Sequence, residues 1–304
     1  MIGESLALAS TFAFGFASVA IAKNTRASTG EGGVFLCAIA TTVLSGLGWI
    51  LGGNGSTIQS AQIVSGAIAW FVVSGLLATV FGRLTFYKSI EYAGAVRASM
   101  SRRLTPFISL FLGWTVFGER MTIVAATGMA LIGASYLLLY YENRRNVPTA
   151  RDDYGAHGAV SYGLALGLVS AFLYATSYVA RKSGLQLTPD PYLGAFSGAL
   201  TAIVFFAGAA LMSERYRAII RETLLSPPPW LSLAAILISI GQITQFAALT
   251  YIGIGRVAFI NSAEVFISAF LAVFVFRTEP LPHQAIMLAM ALGTVGVIMI
   301  ISPA

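Results

Sequence analysis

The sequence predicts an all-α integral membrane protein with ten transmembrane helices, arranged as two inverted five-helix repeats. Three observations carry that reading. Of 304 residues, 57% are hydrophobic and only 10% charged, and the mean hydropathy is +0.81; a soluble domain carries about 25% charged residues. The apolar residues fall into ten runs, each near the roughly 20 residues that cross a bilayer as a helix. The pattern of the first half then recurs in the second.

The ten runs, in order, are Ile2–Ala22, Val34–Leu51, Val64–Tyr87, Ala95–Phe117 and Met121–Tyr141, followed by Ala159–Arg181, Pro191–Ser213, Trp230–Ile252, Arg256–Phe276 and Leu281–Ile301. Polar residues or Gly, Pro and Asn bound each run and favour turns there. The first run is expected to be a permanent span and not a cleaved leader. Met1–Ser5 holds Glu4 and no basic residue, and no isolated A-x-A site follows a short apolar stretch. The longest breaks are Glu142–Gly158 and Glu214–Pro229, the latter ending in three consecutive prolines that forbid helix continuation. The expected organisation is a first repeat over 1–141, a connection over 142–158 and a second repeat over 159–304.

The repeat is visible residue by residue. Tyr92-Ala-Gly-Ala-Val-Arg97 returns as Tyr251-Ile-Gly-Ile-Gly-Arg256, and on that register Gly82 falls on Gly241 and Phe107-Ile-Ser109 on Phe266-Ile-Ser268. Phe111 meets Phe270, Phe117 meets Phe276, and one inserted residue later Glu119 meets Glu279. At the start of each half Ser10-Thr-Phe-Ala-Phe14 resembles Ser170-Ala-Phe-Leu-Tyr174, with Val19-Ala20 on Val179-Ala180. An odd number of spans per unit makes the second unit enter the membrane from the opposite side, the inverted topology of many secondary transporters. Gly163-Leu-Ala-Leu-Gly167 and Gly194-Ala-Phe-Ser-Gly198 are G-x-x-x-G runs, expected to let helices of this chain approach closely.

Counting removes several chemistries. Two histidines (His157, His283), one cysteine (Cys37) and three aspartates in polar stretches (Asp152, Asp153, Asp190) offer no zinc, iron–sulfur or disulfide framework. No G-x-x-x-x-G-K-[ST] loop occurs, so no Walker-type site is expected. The net charge of +6 has no long basic run or soluble surface to present it to nucleic acid. No cofactor, metal or catalytic residue is expected, and a membrane-embedded enzyme lacks its nucleophile–base pair or paired carboxylates.

Glu91-Tyr-Ala-Gly-Ala, Leu104-Thr-Pro106-Phe-Ile-Ser and Gly118-Glu119-Arg-Met-Thr122 resemble the EamA-type signature of the drug/metabolite transporter superfamily. The resemblance covers nearly the whole chain as two EamA units. It implies ten helices, a central substrate cavity between the halves and alternating access, with both termini on the cytoplasmic side. The second unit departs from the pattern where Val265 stands in place of the proline matching Pro106, and where Arg277-Thr-Glu279 stands in place of Gly-Glu.

Charges inside a bilayer cost about 2.5–3.5 kcal/mol each at the helix centre, so those present need a reason. Arg83 and Lys88 sit late in the third helix, Lys88 just past the apolar run, and Arg97, Arg102 and Arg103 in the fourth, against Glu91 alone. Arg97 and Arg256 are expected to anchor short turns. Arg102 is the expected ligand for an anionic group, and Arg103 its rival, since adjacent residues diverge by about 100° on a helix. Asn261, Glu264 and Ser268 form one expected polar stripe on the ninth helix. Burial favours the neutral form of a carboxyl, so Glu264 is a candidate for proton coupling or for receiving an ammonium. Gln242 and Gln245 share a face of the eighth helix, Ser170, Tyr174, Ser177 and Arg181 a face of the sixth, and Arg83 and Tyr87 a face of the third. The candidate substrate-binding set is Arg102, Arg83, Tyr87, Tyr174, Gln242, Gln245, Asn261 and Glu264.

The expected function is secondary active transport of a small metabolite, a zwitterion or carboxylate such as an amino acid, across a bacterial inner membrane, with export the favoured direction. Protons are the candidate coupling ion, and monomer and homodimer both stay open. An exporter of hydrophobic drugs or amines is the alternative; such a protein would place an acid within the first span, whereas Glu4 lies at its edge. A passive channel is a third reading. Loops after odd-numbered helices hold Lys23, Arg26, Arg144, Arg145, Arg151, Arg215, Arg217, Arg221 and Arg277, and those after even-numbered ones Arg120, Arg181, Lys182 and Arg256. The positive-inside rule thus puts both termini outside, opposite to what the resemblance implies.

Overall fold

The computed structural model describes residues 1–23, 30–52, 61–93, 98, 101–146, 154–276 and 284–301, and among them it contains helix and no strand. The helices are α1 (Ile2–Lys23), α2 (Glu31–Leu51), α3 (Ala61–Ser74), α4 (Arg83–Ala93), α5 (Thr105–Phe117), α6 (Ile123–Asn146), α7 (Tyr154–Leu187), α8 (Pro191–Met212), α9 (Glu214–Leu225), α10 (Pro229–Tyr251), α11 (Ile254–Ser262), α12 (Glu264–Phe270) and α13 (Gln284–Ile301). A π-helical stretch, Gly75–Gly82, joins α3 to α4, and another, Leu271–Val275, follows α12. Seven stretches are long and apolar enough to cross a bilayer, and three shorter apolar helices accompany them. Large apolar side chains such as Trp114, Val204 and Leu211 stand exposed, as a lipid-facing surface requires.

Several helices outrun the apolar runs that predict them. The third continues past Tyr87 to Ala93, and the sixth past Arg181 to Leu187. Apolarity marks the bilayer, while Lys, Glu and Arg are good helix formers, so the helix ends only where a breaker stands. After Leu187 that breaker is Thr188-Pro-Asp190-Pro, in which Asp190 Oδ1 accepts from the amides of Tyr192 (2.9 Å) and Leu193 (3.0 Å) and caps α8. Helices α6 and α7 also extend into the expected connection 142–158. The expected break Glu214–Pro229 hides α9, too polar to read as a span. It docks on α2 through Glu31, which accepts from Arg215 Nη2 at 3.1 Å and Tyr216 Oη at 3.3 Å.

The fourth and ninth runs are not continuous helices. Each is interrupted by a tight turn in which an amide reaches back three residues: Leu104 to Ser101 at 3.2 Å and Ala263 to Ile260 at 3.1 Å. On the register that sets Arg97 on Arg256 these two turns coincide. In the first unit Pro106 lacks the amide that would bond to the carbonyl of Arg102. In the second, without that proline, the turn is held from outside. Tyr136 Oη donates to the Ser262 carbonyl at 2.7 Å, and Thr11 Oγ1 lies 3.2 Å from the Ile260 carbonyl.

The repeats interlock by exchanging partners. Ser10 Oγ of α1 donates to the carbonyl of Gly241 on α10 at 2.9 Å, and its repeat mate Ser170 Oγ of α7 donates to the carbonyl of Gly82 at 2.7 Å. The ring of Phe14 lies against Gly241, and that of Tyr174 against Gly82. Gly3 faces Tyr251 and Ile252, and Gly163 faces their mates Tyr92 and Ala93. Each contact thus occurs twice, between helices running in opposite directions. The G-x-x-x-G runs pack within the chain: Gly167 against Ser89 and Ser101, Gly194 against Phe71 and Phe246, and Gly198 against Gly75. Helices α6 and α13 meet at Gly128 and Gly296, each facing the other's carbonyl.

Candidate functional site

Side chains from both units meet between the paired helices. The Arg102 guanidinium lies over the rings of Tyr174 (4.4 Å to the centroid) and Phe86 (4.6 Å). Arg83, one π-helical stretch below α3, neighbours the phenols of Tyr174 and Tyr87 and the thiol of Cys37. Arg103 lies over Tyr136 at 4.8 Å, and its buried Nη1 has no hydrogen-bond partner among the described residues. Both Arg102 and Arg103 act on Glu264 at the start of α12, yet none of the ion pairs among the described residues includes any of the three.

A second layer is knit by hydrogen bonds. Arg181 is buried, donates from Nε to Ser74 Oγ at 3.1 Å and from Nη1 to Gln245 Oε1, and lies over Phe246 (4.9 Å) and Tyr178 (5.6 Å). Gln245 Nε2 donates to Tyr178 Oη at 2.9 Å, and Tyr178 also neighbours Asn261 and Glu264. Asn261 Oδ1 accepts from Thr11 Oγ1 at 3.1 Å.

Against the candidate set, the structure brings Arg83, Arg102, Tyr87 and Tyr174 together and sets Glu264 beside Arg102. It gives Gln245 and Asn261 partners within the protein. Gln242 is half-buried and has no hydrogen-bond partner among the described residues. Arg102 packs on Tyr174 and Phe86 and Arg103 on Tyr136, the two side chains leaving a turn at Arg103–Leu104. The same kind of turn at Ala263 divides the expected stripe: Asn261 bonds to Thr11, while Ser268 Oγ caps the carbonyl of Val265 at 3.0 Å. Arg256 Nη1 lies 3.6 Å from Glu4 Oε1, and the buried Glu4 also pairs with the amino terminus at 2.8 Å. Arg97 and Glu279 lie outside the described residues. Arg181 and Lys182, read as loop charges, lie inside α7.

Sequence reasoning missed Tyr136 and Tyr178 as interior groups, and it set Arg181 on a face of the sixth helix but left it out of the candidate set and counted it as a loop charge. Arg181 carried a signal: it continues the Tyr174–Ser177 face, and no breaker stands before Pro189. The two tyrosines carried none beyond hydroxyls on buried helices.

Side chains tie helices together at the end bearing Met1. Glu119 Oε1 and Oε2 accept from the amides of Ile254 (2.7 Å) and Gly255 (3.3 Å), while Lys182 Nζ donates to the carbonyls of Leu249 (2.6 Å) and Ile252 (3.1 Å). These bonds cap the start of α11 and the end of α10. At the opposite end a cavity of about 450 Å³ opens between α2, α4 and α9, lined by Glu31, Tyr87, Lys88, Glu91, Arg215 and Glu222 among others. Tyr87 lies on its wall and also beside Arg83.

Apolar helices with a lipid-facing outside mark the chain as an integral membrane protein. The chain matches the EamA-like transporter family twice, over residues 1–141 and 161–302, and belongs to that family. A solved structure described only as the crystal structure of a protein resembles the fold with a TM-score of 0.70, covering 98% of this chain and 95% of that one at 14% identity. No curated protein matches the sequence.

Proposed function

We propose that this protein is a ten-helix secondary transporter that moves a small zwitterionic or carboxylate metabolite, amino acids first among them, by alternating access across a bacterial inner membrane, with export as the direction. The observation that supports it is the meeting of Arg102 and Arg103 with Glu264 between the two units, where no ion pair consumes them. A guanidinium over an aromatic face keeps its donors free for a carboxylate. Glu264, beside Tyr178, receives the ammonium of the solute or the coupling proton. The ties at Glu119, Lys182 and Glu4 close one end while the cavity beside Tyr87 opens the other, which fits one of the two states a rocking carrier visits.

The test is uptake and counterflow by the purified protein in proteoliposomes, with zwitterionic, anionic and cationic solutes as competitors. Zwitterions and carboxylates compete, and both Arg102→Gln and Glu264→Gln lose transport. Competition by hydrophobic cations alone supports the drug-exporter reading. Flux without saturation or counterflow makes it a channel, and product formation without movement an enzyme.

A further inference from the structure

The charges at the centre do not balance. Arg83, Arg102, Arg103 and Arg181 face inward from α4, the segment before α5, and α7; none of the ion pairs among the described residues includes any of them, and Glu264 is a carboxylate within electrostatic reach of Arg102 and Arg103. Glu264 stands on the Arg102–Arg103 side. At Tyr174, Arg102 and Arg83 meet on one ring, and Arg181 lies within electrostatic reach of it. Arg102 covers the face of Tyr174, Arg83 neighbours its phenol, and Arg181 feels both Tyr174 and Arg83.

Neutral partners occupy only part of this donor set. Arg181 has Ser74 and Gln245, while Arg83 has two phenols and a thiol, and Arg102 has two aromatic faces. Aromatic faces and hydroxyls soften a buried cation without neutralising it. A single carboxylate on the solute satisfies one guanidinium as a bidentate pair and leaves two like charges facing each other in a low-dielectric interior.

We propose that the solute carries two negative charges at one end, as a pair of carboxylates or as a phosphate monoester, and seats that end among Arg83, Arg102 and Arg181 beside Tyr174, with Glu264 taking the opposite, cationic or hydroxyl-bearing end. This assignment rests on the central-site reading above and narrows its substrate class. The cavity beside Tyr87 gives the dianionic end its approach, since Tyr87 borders both it and Arg83.

The experiment is a melting curve of the full-length protein in nanodiscs, read by intrinsic tryptophan fluorescence and titrated at constant ionic strength with succinate, methyl phosphate, acetate or glycine. Succinate, methyl phosphate or both stabilise the protein saturably, at concentrations about tenfold to a hundredfold below those of acetate and glycine, the ratio one extra charge-assisted bond supplies. The better of the two decides between the dicarboxylate and the phosphate form. Arg83→Gln and Arg181→Gln each erase that preference while leaving acetate binding in place; if Arg181→Gln fails to fold, Arg83→Gln carries the test. Equal potency of acetate or glycine, or an undiminished dianion preference in Arg83→Gln, overturns the dianion assignment and leaves the central site standing. Stabilisation by none of the four, with no effect of Arg102→Gln on transport, overturns the site itself.

Discussion

Removing the Glu119 carboxylate tests how the two units hold each other at the closed end. In Glu119→Ala the amide of Ile254, a residue with no exposed surface, loses its 2.7 Å acceptor, and that of Gly255 loses its weaker one at 3.3 Å. A hydrogen bond to a charged group contributes about 1.5–3 kcal/mol, and a carboxylate at a helix N-terminus roughly 0.3–1 kcal/mol more. The expected loss is about 2–4 kcal/mol, or a fall in melting temperature on the order of 5–10 °C for a chain this long. Glu119→Gln keeps one acceptor and loses about half as much. Cys37, the sole cysteine and a buried one, provides the assay: a fluorogenic maleimide reacts with it only as the bundle opens. The exposed Glu222→Ala is the control. If Glu119→Ala melts with the parent, the carboxylate does not cap α11 and the tie between units is misassigned.

Gly128→Ala places a methyl 2.5 Å from the Gly296 carbonyl, so α6 and α13 separate at a cost of about 1–3 kcal/mol, whereas Gly208→Ala meets nothing within 4 Å and melts no lower than the parent. Ser10→Ala and Ser170→Ala each remove one buried bond between units and each lower stability by about 1 kcal/mol; the double variant shows the sum, because the two share no partner, and a shortfall measured in the same melts would break the twofold equivalence. Arg181 and Lys182 lie within α7, which leaves Arg120 and Arg256 as the basic residues of the even-numbered connections. That sharpens the charge asymmetry, so a phosphatase fused after Ala304 is active and a fluorescent protein there is dark; the reverse pattern would support the cytoplasmic termini that the family resemblance implies.

Much of this was legible because the bilayer writes itself into composition. Apolar runs located the helices, and the repeat of Tyr92–Arg97 in Tyr251–Arg256 located the twofold. Helix ends were less legible: by hydropathy the apolar runs stop at Lys88 and Arg181, yet both helices continue until a breaker stands. Helix α9 was invisible to a search for spans because its charges face out and Ile219, Ile220 and Thr223 face in. The turn at Ala263 had no proline to announce it, since Tyr136 and Thr11 hold it through contacts distant in sequence. The inward direction of Arg102 and Glu264 followed from the cost of charge in lipid, while the roles of Tyr178 and Gln245 depended on a neighbour, Arg181, that the sequence placed at a helix end.

The two units share a frame but not a charge. On the register that aligns Arg97 with Arg256, Arg83 falls on Gln242, Arg102 on Asn261 and Thr105 on Glu264. The contacts that set the frame are duplicated: the serine–glycine bonds, the aromatic rings against Gly82 and Gly241, and the reverse turns at Leu104 and Ala263. The aligned positions facing the centre diverge instead, Arg83 and Arg102 in the first unit against Gln242, Asn261 and Glu264 in the second, whose own inward cation, Arg181, stands outside these pairs. Such a pattern is what a solute with unlike ends would select, because a symmetric pair of half-sites presents the same chemistry to both. Packing tolerates the twofold, and charge breaks it where the two broken helices meet. Arginines needed only to stabilise helix packing would give no reason for their mates to be the amides Gln242 and Asn261, or for Glu264 to stand within reach of Arg102 and Arg103 without a direct ion pair.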